Sequence, residues 1–346
     1  MNFQSYSKEF REQAKDLEYE DEYIERCIEY ARNLIMNKIP IIYDQEHLGK
    51  LLGVKLEYLY GVSNNSTPYY RKFEIKKKSG KIRTIHEPLP LLKEIQKWIY
   101  VNILSNVEVS RYAKGYVKGL SIKDNAKFHK RQKKVLCMDI KEYFPSISEW
   151  KVYNLFISLG YREEVAMMLC KLCTYEGYLP QGAPTSPILS NIITKKLDEK
   201  IFDICIKINA NIRYSRYADD MTFSGDFDQN ILIKEIRRVA YEEGFKINDL
   251  KTRVSANNKC QKVTGIVVNE KLQISRQDRD KVRQEVYYLC KYGIKEHLKK
   301  ITWKKSEKEY ITNLKGRINF ILFINPKDAK VSKVKEELKR YLKLTT

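Results

Sequence analysis

Apolar positions recur at helical spacing early in the chain and at alternating spacing further on, and these changes of period divide it into units. Between about Asp16 and Asn37, Tyr23, Ile24, Cys27, Ile28, Ala31, Leu34 and Ile35 fall on one helix face, which predicts an amphipathic helix packed on the main body with an acidic outer face. Turn formers crowd residues 61–68 (GVSNNSTP) and predict a boundary. Phe73 to Lys77 and Ile82 to Ile85 alternate around Ser79 and Gly80, the pattern of a β-hairpin whose tip is crowded by Lys76, Lys77, Lys78, Lys81 and Arg83. Lys134 to Ile140 reads as a buried strand, Trp150 to Cys173 as helices, and Ile188 to Ile206 as one long helix behind a proline-rich turn. Strands return over Ile212 to Phe223, and beyond Gln273 the pattern is mainly helical. No repeat, low-complexity tract or long flexible linker interrupts the chain.

Composition adds a partner class. The 346 residues are 43% hydrophobic and 12% aromatic, enough for a substantial core, which excludes wholesale disorder. The formal net charge of +21 points to a polyanion. That charge is uneven: residues 1–50 carry 7 basic and 11 acidic side chains, a net of −4, whereas residues 271–346 carry 21 and 9, a net of +12. The acidic amino-terminal face could dock a protein partner or simply pack. No window approaches the roughly 20 apolar residues that cross a bilayer. With no positive region and apolar stretch at the amino terminus, a cytoplasmic protein without membrane contact is expected. Seven scattered Cys imply reduced thiols, and Cys170 and Cys173, although spaced CxxC, lie in an apolar run that reads as two core thiols on one helix.

Candidate chemistry comes from three segments. In Ile212 to Ser224 two apolar runs flank Tyr217, Ala218, Asp219 and Asp220, so a hairpin would carry two carboxylates at its tip; a solvated turn has the same look. In VLCMDIKEYFPSI a strand delivers Asp139 at its end, with Phe144 five residues on. Together these carboxylates are what phosphoryl transfer to a growing nucleic acid requires, oxygen ligands for two Mg²⁺ ions about 4 Å apart. The third segment, LPQGAPTSPILSN, is a turn of three prolines and one glycine entering a helix.

In this order the segments resemble the reverse transcriptases: Asp139 matches their first metal aspartate, LPQGAPTSP their nucleotide and template turn, and YADD their catalytic hairpin. The resemblance covers about residues 70–325 and implies an α+β right-hand polymerase. Its expected parts are an amino-terminal helical extension at 1–60, fingers at 61–134, a palm of antiparallel sheet plus helices at 135–270, and a basic, helical, RNA-binding thumb at 271–346. It nominates Lys77 and Arg83 of the basic hairpin for the incoming triphosphate, Phe144 as the aromatic gate against the sugar, and Gln181 and Gly182 for the nucleotide pocket. GFKINDLK (Gly244, Phe245, Asn248, Lys251) is similar to the fourth palm motif, where Lys251 would neutralise or protonate departing pyrophosphate.

Two further signatures, NAxxH (Asn125, Ala126, His129) and VTG (Val263, Thr264, Gly265), resemble the retron reverse transcriptases. Membership implies binding of a cognate structured non-coding RNA, priming from the 2′-hydroxyl of an internal guanosine, dNTP consumption with two Mg²⁺ ions, and a branched msDNA product. It also implies anti-phage defence with a separate effector protein. About twenty residues follow the thumb motif, so template removal would fall to host ribonuclease H. Tyr287, Tyr288, Tyr292 and Trp303 would stack on unpaired bases or serve a helical core. The competing readings are a non-retron bacterial reverse transcriptase priming from a 3′-hydroxyl, and a catalytically idle scaffold for RNA and effector.

Overall fold

The computed structural model describes residues 2–76, 80, 82–301, 303 and 305–345. Helices α1 (Phe3–Asp16), α2 (Asp21–Met36), α3 (Gln45–Leu52) and α4 (Leu56–Asn64) lead into strands β1 (Tyr70–Lys76) and β2 (Ile82–Pro88) and helices α5 (Pro90–Asn102) and α6 (Ile122–Phe128). Strand β3 (Lys134–Asp139) precedes α7 (Glu149–Ser158), α8 (Glu163–Cys173), α9 (Ser186–Ile193) and α10 (Lys195–Ile208). Then come β4 (Arg213–Tyr217), β5 (Asp220–Gly225), α11 (Gln229–Glu242), β6 (Arg253–Ala256) and the small pair β7 (Lys262–Val263) and β8 (Ile266–Val267). Three helices, α12 (Arg276–Lys300), α13 (Glu307–Ile324) and α14 (Ala329–Thr345), end the chain, α12 kinking at Gly293.

The central element is a four-stranded antiparallel sheet in the order β4-β5-β3-β6. Side chains alternate across a strand, so each strand serves two faces. Leu136 and Met138 of β3, with Tyr214, Met221 and Phe223, enter the large core shared with α2 to α5 and α7 to α11. Val135 and Cys137, one residue out of step, meet a second core made by β7, β8, α6 and helices α12 to α14. A strand apolar on both faces is why VLCM reads as a continuous run.

Several boundaries differ from the sequence reading. The helix expected from Asp16 begins at Asp21, and a separate helix precedes it, held by the small cluster of Ala14, Ile24 and Ile28 with Phe3 and Phe10. Part of the acidic face of α2 is paired internally, Arg11 with Glu25 at 2.7 Å and Lys15 with Asp21 at 3.3 Å. The segment read as a turn from residue 61 stays helical through Asn64. The single helix expected over Ile188 to Ile206 is two: the chain breaks at Thr194, whose hydroxyl bonds back to the Ser190 carbonyl at 2.7 Å. Cys170 and Cys173 are buried, free thiols on α8, and burial pushes both upward in pKa, Cys170 to about 12, which leaves them unreactive. Among the described residues no helix is long and apolar enough to cross a membrane.

Candidate active site

Strand register creates the site. Asp139 at the end of β3 lies directly opposite Asp220 at the start of β5, and Tyr217 lies opposite Asp220 on β4, so all three share the sheet face turned away from the large core. Ala218 and Asp219 close the β4–β5 turn, with Ala218 at φ +58°. Ile140 N donates to the Asp219 carbonyl at 2.9 Å, which ties the end of β3 to the turn. Asp139 is buried, Asp219 half-buried and Asp220 exposed.

The carboxylates sense one another. Burial, then Asp220 and Asp139, push the Asp219 carboxyl up to about 6. Although Asp220 is exposed as a residue, the protein around its carboxyl thins the solvent there and, with Asp139, raises its pKa, while Lys251 and Arg253 pull it back. Lys251 Nζ donates to Asp139 Oδ2 at 2.6 Å, and Asn248 Nδ2 donates to Asp139 Oδ1 at 3.1 Å while Asn248 N bonds the Asp139 carbonyl at 2.8 Å. The fourth-motif segment is thereby fastened beside the first aspartate. A cavity of about 270 Å³ opens here, lined by Asp139, Asp220, Leu250, Lys251 and Arg253.

Among the described residues no group of three or more His, Cys, Asp or Glu side chains is arranged to hold a metal as it stands, and Lys251 takes one oxygen of Asp139. The donor chemistry nevertheless fits a hard divalent cation, because neighbouring carboxylates that repel one another are what such an ion neutralises.

The hairpin that carries Asp219 and Asp220 is braced on both faces. On the core side, Arg216 and Asp198 of α10 form an ion pair with both side chains fully buried, Nε to Oδ1 at 2.8 Å and Nη2 to Oδ2 at 2.7 Å. Tyr214 OH donates to Asp198 Oδ1 at 2.6 Å. The remaining Arg216 nitrogen, Nη1, donates to Tyr143 OH at 2.8 Å, Asn191 Oδ1 at 3.1 Å and the Ala218 carbonyl at 3.1 Å, so the buried charge is compensated and the turn is held. Sequence reasoning missed this network; its signal was Arg216 interrupting an apolar strand.

On the other face the NAxxH residues lock α6 beneath the hairpin. His129 Nδ1 and Nε2 each lie 2.7 Å from a serine hydroxyl, Ser224 and Ser215, and Ser215 donates to Asn125 Oδ1 at 2.6 Å. With Ser215's proton given to Asn125, Nε2 donates and Nδ1 accepts, the pattern of a neutral imidazole. Burial, aided by Arg213 and Lys114, pushes His129 down to about 3. Asn125, His129 and Val263 are fully buried, so these signature residues brace the fold from within and present no side-chain surface to RNA. Thr264 and Gly265 form the turn between β7 and β8, Thr264 at φ +45°.

Of the nucleotide-pocket nominees, Gln181 and Gly182 dock on the base of the β1–β2 hairpin, where His86 N donates to the Gln181 carbonyl at 2.8 Å. Gly182 has φ +130°, and a Cβ there would stand 2.7 Å from the His86 carbonyl, so the close approach requires glycine. Arg83 is exposed on β2, and Phe144 is half-buried with its ring 5.5 Å from Tyr143. Lys77 lies outside the described residues. In the carboxy-terminal helices Tyr287, Tyr288 and Tyr292 are exposed, with Lys291 5.3 Å from the Tyr292 ring centre, whereas Trp303 packs edge-on to Tyr310.

Comparison with known proteins gives the family. The family model described as reverse transcriptase (RNA-dependent DNA polymerase) matches residues 75–307. The chain therefore belongs to the reverse transcriptases, RNA-directed DNA polymerases of α+β architecture. It is 31% identical to the retron Ec86 reverse transcriptase of Escherichia coli, over 84% of this chain and 87% of that one. It is 32% identical to the retron Mx65 reverse transcriptase of Myxococcus xanthus, over 84% of this chain and 70% of that one. Within the family it thus belongs with the retron enzymes. A telomerase structure from Candida albicans aligns at TM-score 0.44 and 13% identity, covering 82% of this chain and 66% of that one.

Proposed function

We propose that this polymerase binds a structured non-coding RNA, starts DNA synthesis at the 2′-hydroxyl of an internal guanosine of that RNA, and leaves a branched RNA and DNA product, msDNA. The observation that carries the catalytic part is the register that sets Asp139 opposite Asp220 with Asp219 in the adjoining turn. These three would hold two Mg²⁺ ions, which when bound activate the attacking hydroxyl and take up charge at the leaving phosphate.

The chain's own residues divide the remaining tasks. Arg83, with Lys77, grips the triphosphate; Phe144 closes against the sugar and excludes a 2′-hydroxyl; Gln181 and Gly182 hold the pocket against the fingers hairpin. Lys251, poised on Asp139, neutralises or protonates the departing pyrophosphate. The thumb, residues 271–346 with net charge +12, follows the RNA backbone, and the exposed tyrosines of α12 stack on unpaired bases. Residues 1–60, 61–134 and 135–270 serve as extension, fingers and palm. The retron motifs support a cytoplasmic defence role against phage with a separate effector, and with host ribonuclease H removing template.

Replacing Asp219 and Asp220 by Asn is expected to reduce DNA synthesis by at least about 10³-fold and to leave RNA binding unchanged. Persistent synthesis would refute the assignment. Treatment of the product with a debranching activity tests priming: release of the DNA from a 2′,5′ linkage supports it, and a product that debranching leaves intact assigns a 3′-hydroxyl primer instead.

A further inference from the structure

The segment before α6 runs along the outer edge of β4 and ends beside the carboxylates. Arg216 N donates to the Tyr112 carbonyl at 2.9 Å and Lys114 N to the Arg216 carbonyl at 2.7 Å, an added rung on the catalytic hairpin. At Gly115 the two backbones nearly touch, since a Cβ there would meet Ala218 N at 2.7 Å. Asn191 Nδ2 donates to the Gly115 carbonyl at 2.8 Å and fixes the approach.

The next residue, Tyr116, has φ +60°, a backbone state that bulky side chains rarely adopt. The bracing around it maintains this state, and its consequence is where the ring goes. Tyr116 remains 47% exposed, with its ring 6.3 Å from that of Phe144. Phe144 in turn lies 5.5 Å from Tyr143, which Arg216 anchors. Burial around the Tyr116 side chain, with Asp219 close enough to be felt and Arg83 opposing, raises the pKa of its phenol.

We propose that Tyr116 is a further specificity-determining residue of the nucleotide site. Its ring completes, with Phe144, an aromatic wall against the sugar of the incoming deoxynucleoside triphosphate, and its hydroxyl donates to the sugar and phosphate edge. The inference rests on the nucleotide pocket assigned above to Phe144 and Arg83. A ring held by a strained backbone and a glycine contact is set more firmly than one on a mobile loop, which is what discrimination between sugars requires.

The test uses the full chain with poly(rA) annealed to oligo(dT) and compares dTTP with UTP. Tyr116→Asn tolerates the positive φ while removing ring and hydroxyl; it is expected to raise KM for dTTP about tenfold, hold kcat within about twofold, and lower the preference for dTTP over UTP about tenfold. Tyr116→Phe, which keeps the ring, is expected to raise KM about threefold and retain the preference. A fall in kcat with KM unchanged, or Tyr116→Asn retaining both KM and preference, would overturn the proposal and leave Tyr116 a structural residue. Phe144→Ala run beside them separates the two levels. If it too leaves the preference intact, the pocket assignment itself fails; if it alone loses the preference, only the role of Tyr116 fails.

Discussion

Two hairpins carry the residues proposed for this site, and they are held in opposite ways. The palm hairpin β4–β5 is bracketed by a fully buried ion pair on one face and a buried histidine on the other, and Tyr214, Ser215, Arg216, Met221, Thr222, Phe223 and Ser224 are all buried. The fingers hairpin β1–β2 has exposed side chains along nearly all of β1, and its anchorage is at the base, through Gln181, Gly182 and the stack of His86 on Tyr175 at 4.4 Å. Asp219 and Asp220 sit on the braced element and Arg83 on the exposed one, an arrangement that suits the fixed and the closing roles proposed for them.

Breaking the brace is the strongest test of this contrast. Arg216→Met leaves Asp198 charged, buried and without its partner, and is expected to cost about 3–5 kcal/mol of stability by urea denaturation. Replacing Arg216 and Asp198 together by apolar residues should recover much of that loss; equal loss in single and double variants would show that the pair does not act as a unit.

Gly182→Ala attacks the base of the fingers hairpin instead. A Cβ at 2.7 Å from the His86 carbonyl, at φ +130°, is expected to cost about 1–3 kcal/mol, and a fully stable variant would mean that the turn does not hold the hairpin.

Acidity probes the second brace. His129 is held near pKa 3 in the fold, whereas the unfolded residue takes a proton near 6.5, so acid favours unfolding. Its stabilising contribution is complete above about pH 6.5 and is lost as pH falls toward 3, about 2 kcal/mol of it by pH 5. Comparing denaturation at pH 7 and pH 5, His129→Gln should lose this part of the pH dependence; an unchanged slope would contradict a buried neutral imidazole.

The smallest effect on stability belongs to the exposed hairpin. Arg83→Ala should change stability by less than about 0.5 kcal/mol yet raise KM for dNTP about tenfold. Equal loss in kcat and unchanged KM would remove Arg83 from the triphosphate grip.

What could be read from the sequence follows from how local each signal was. Alternation located the β1–β2 pair, and YADD located the turn between β4 and β5, because these patterns are complete within a few residues. The partner of Arg216 was not legible, since Asp198 is on a different helix and an ion pair across such a gap leaves no periodic trace. NAxxH was visible as a pattern but not as a buried lock, because the serines that receive His129 are on two strands more than eighty residues away. The break at Thr194 was hidden because apolar spacing continues across it and only the side-chain bond to Ser190 marks the stop. Tyr116 escaped notice because its placement depends on a positive φ and on the Gly115 contact, neither of which hydropathy records.

The central claim is that Asp139, Asp219 and Asp220 bind divalent ions jointly across the β3–β5 register. Electron paramagnetic resonance with Mn²⁺ in place of Mg²⁺, on the full chain with poly(rA), oligo(dT) and a non-hydrolysable dTTP analogue, tests it directly. The account predicts two bound Mn²⁺ close enough to couple magnetically in the native protein, and loss of the coupled signal in both Asp139→Asn and Asp219→Asn. The same coupled signal in either variant would contradict it.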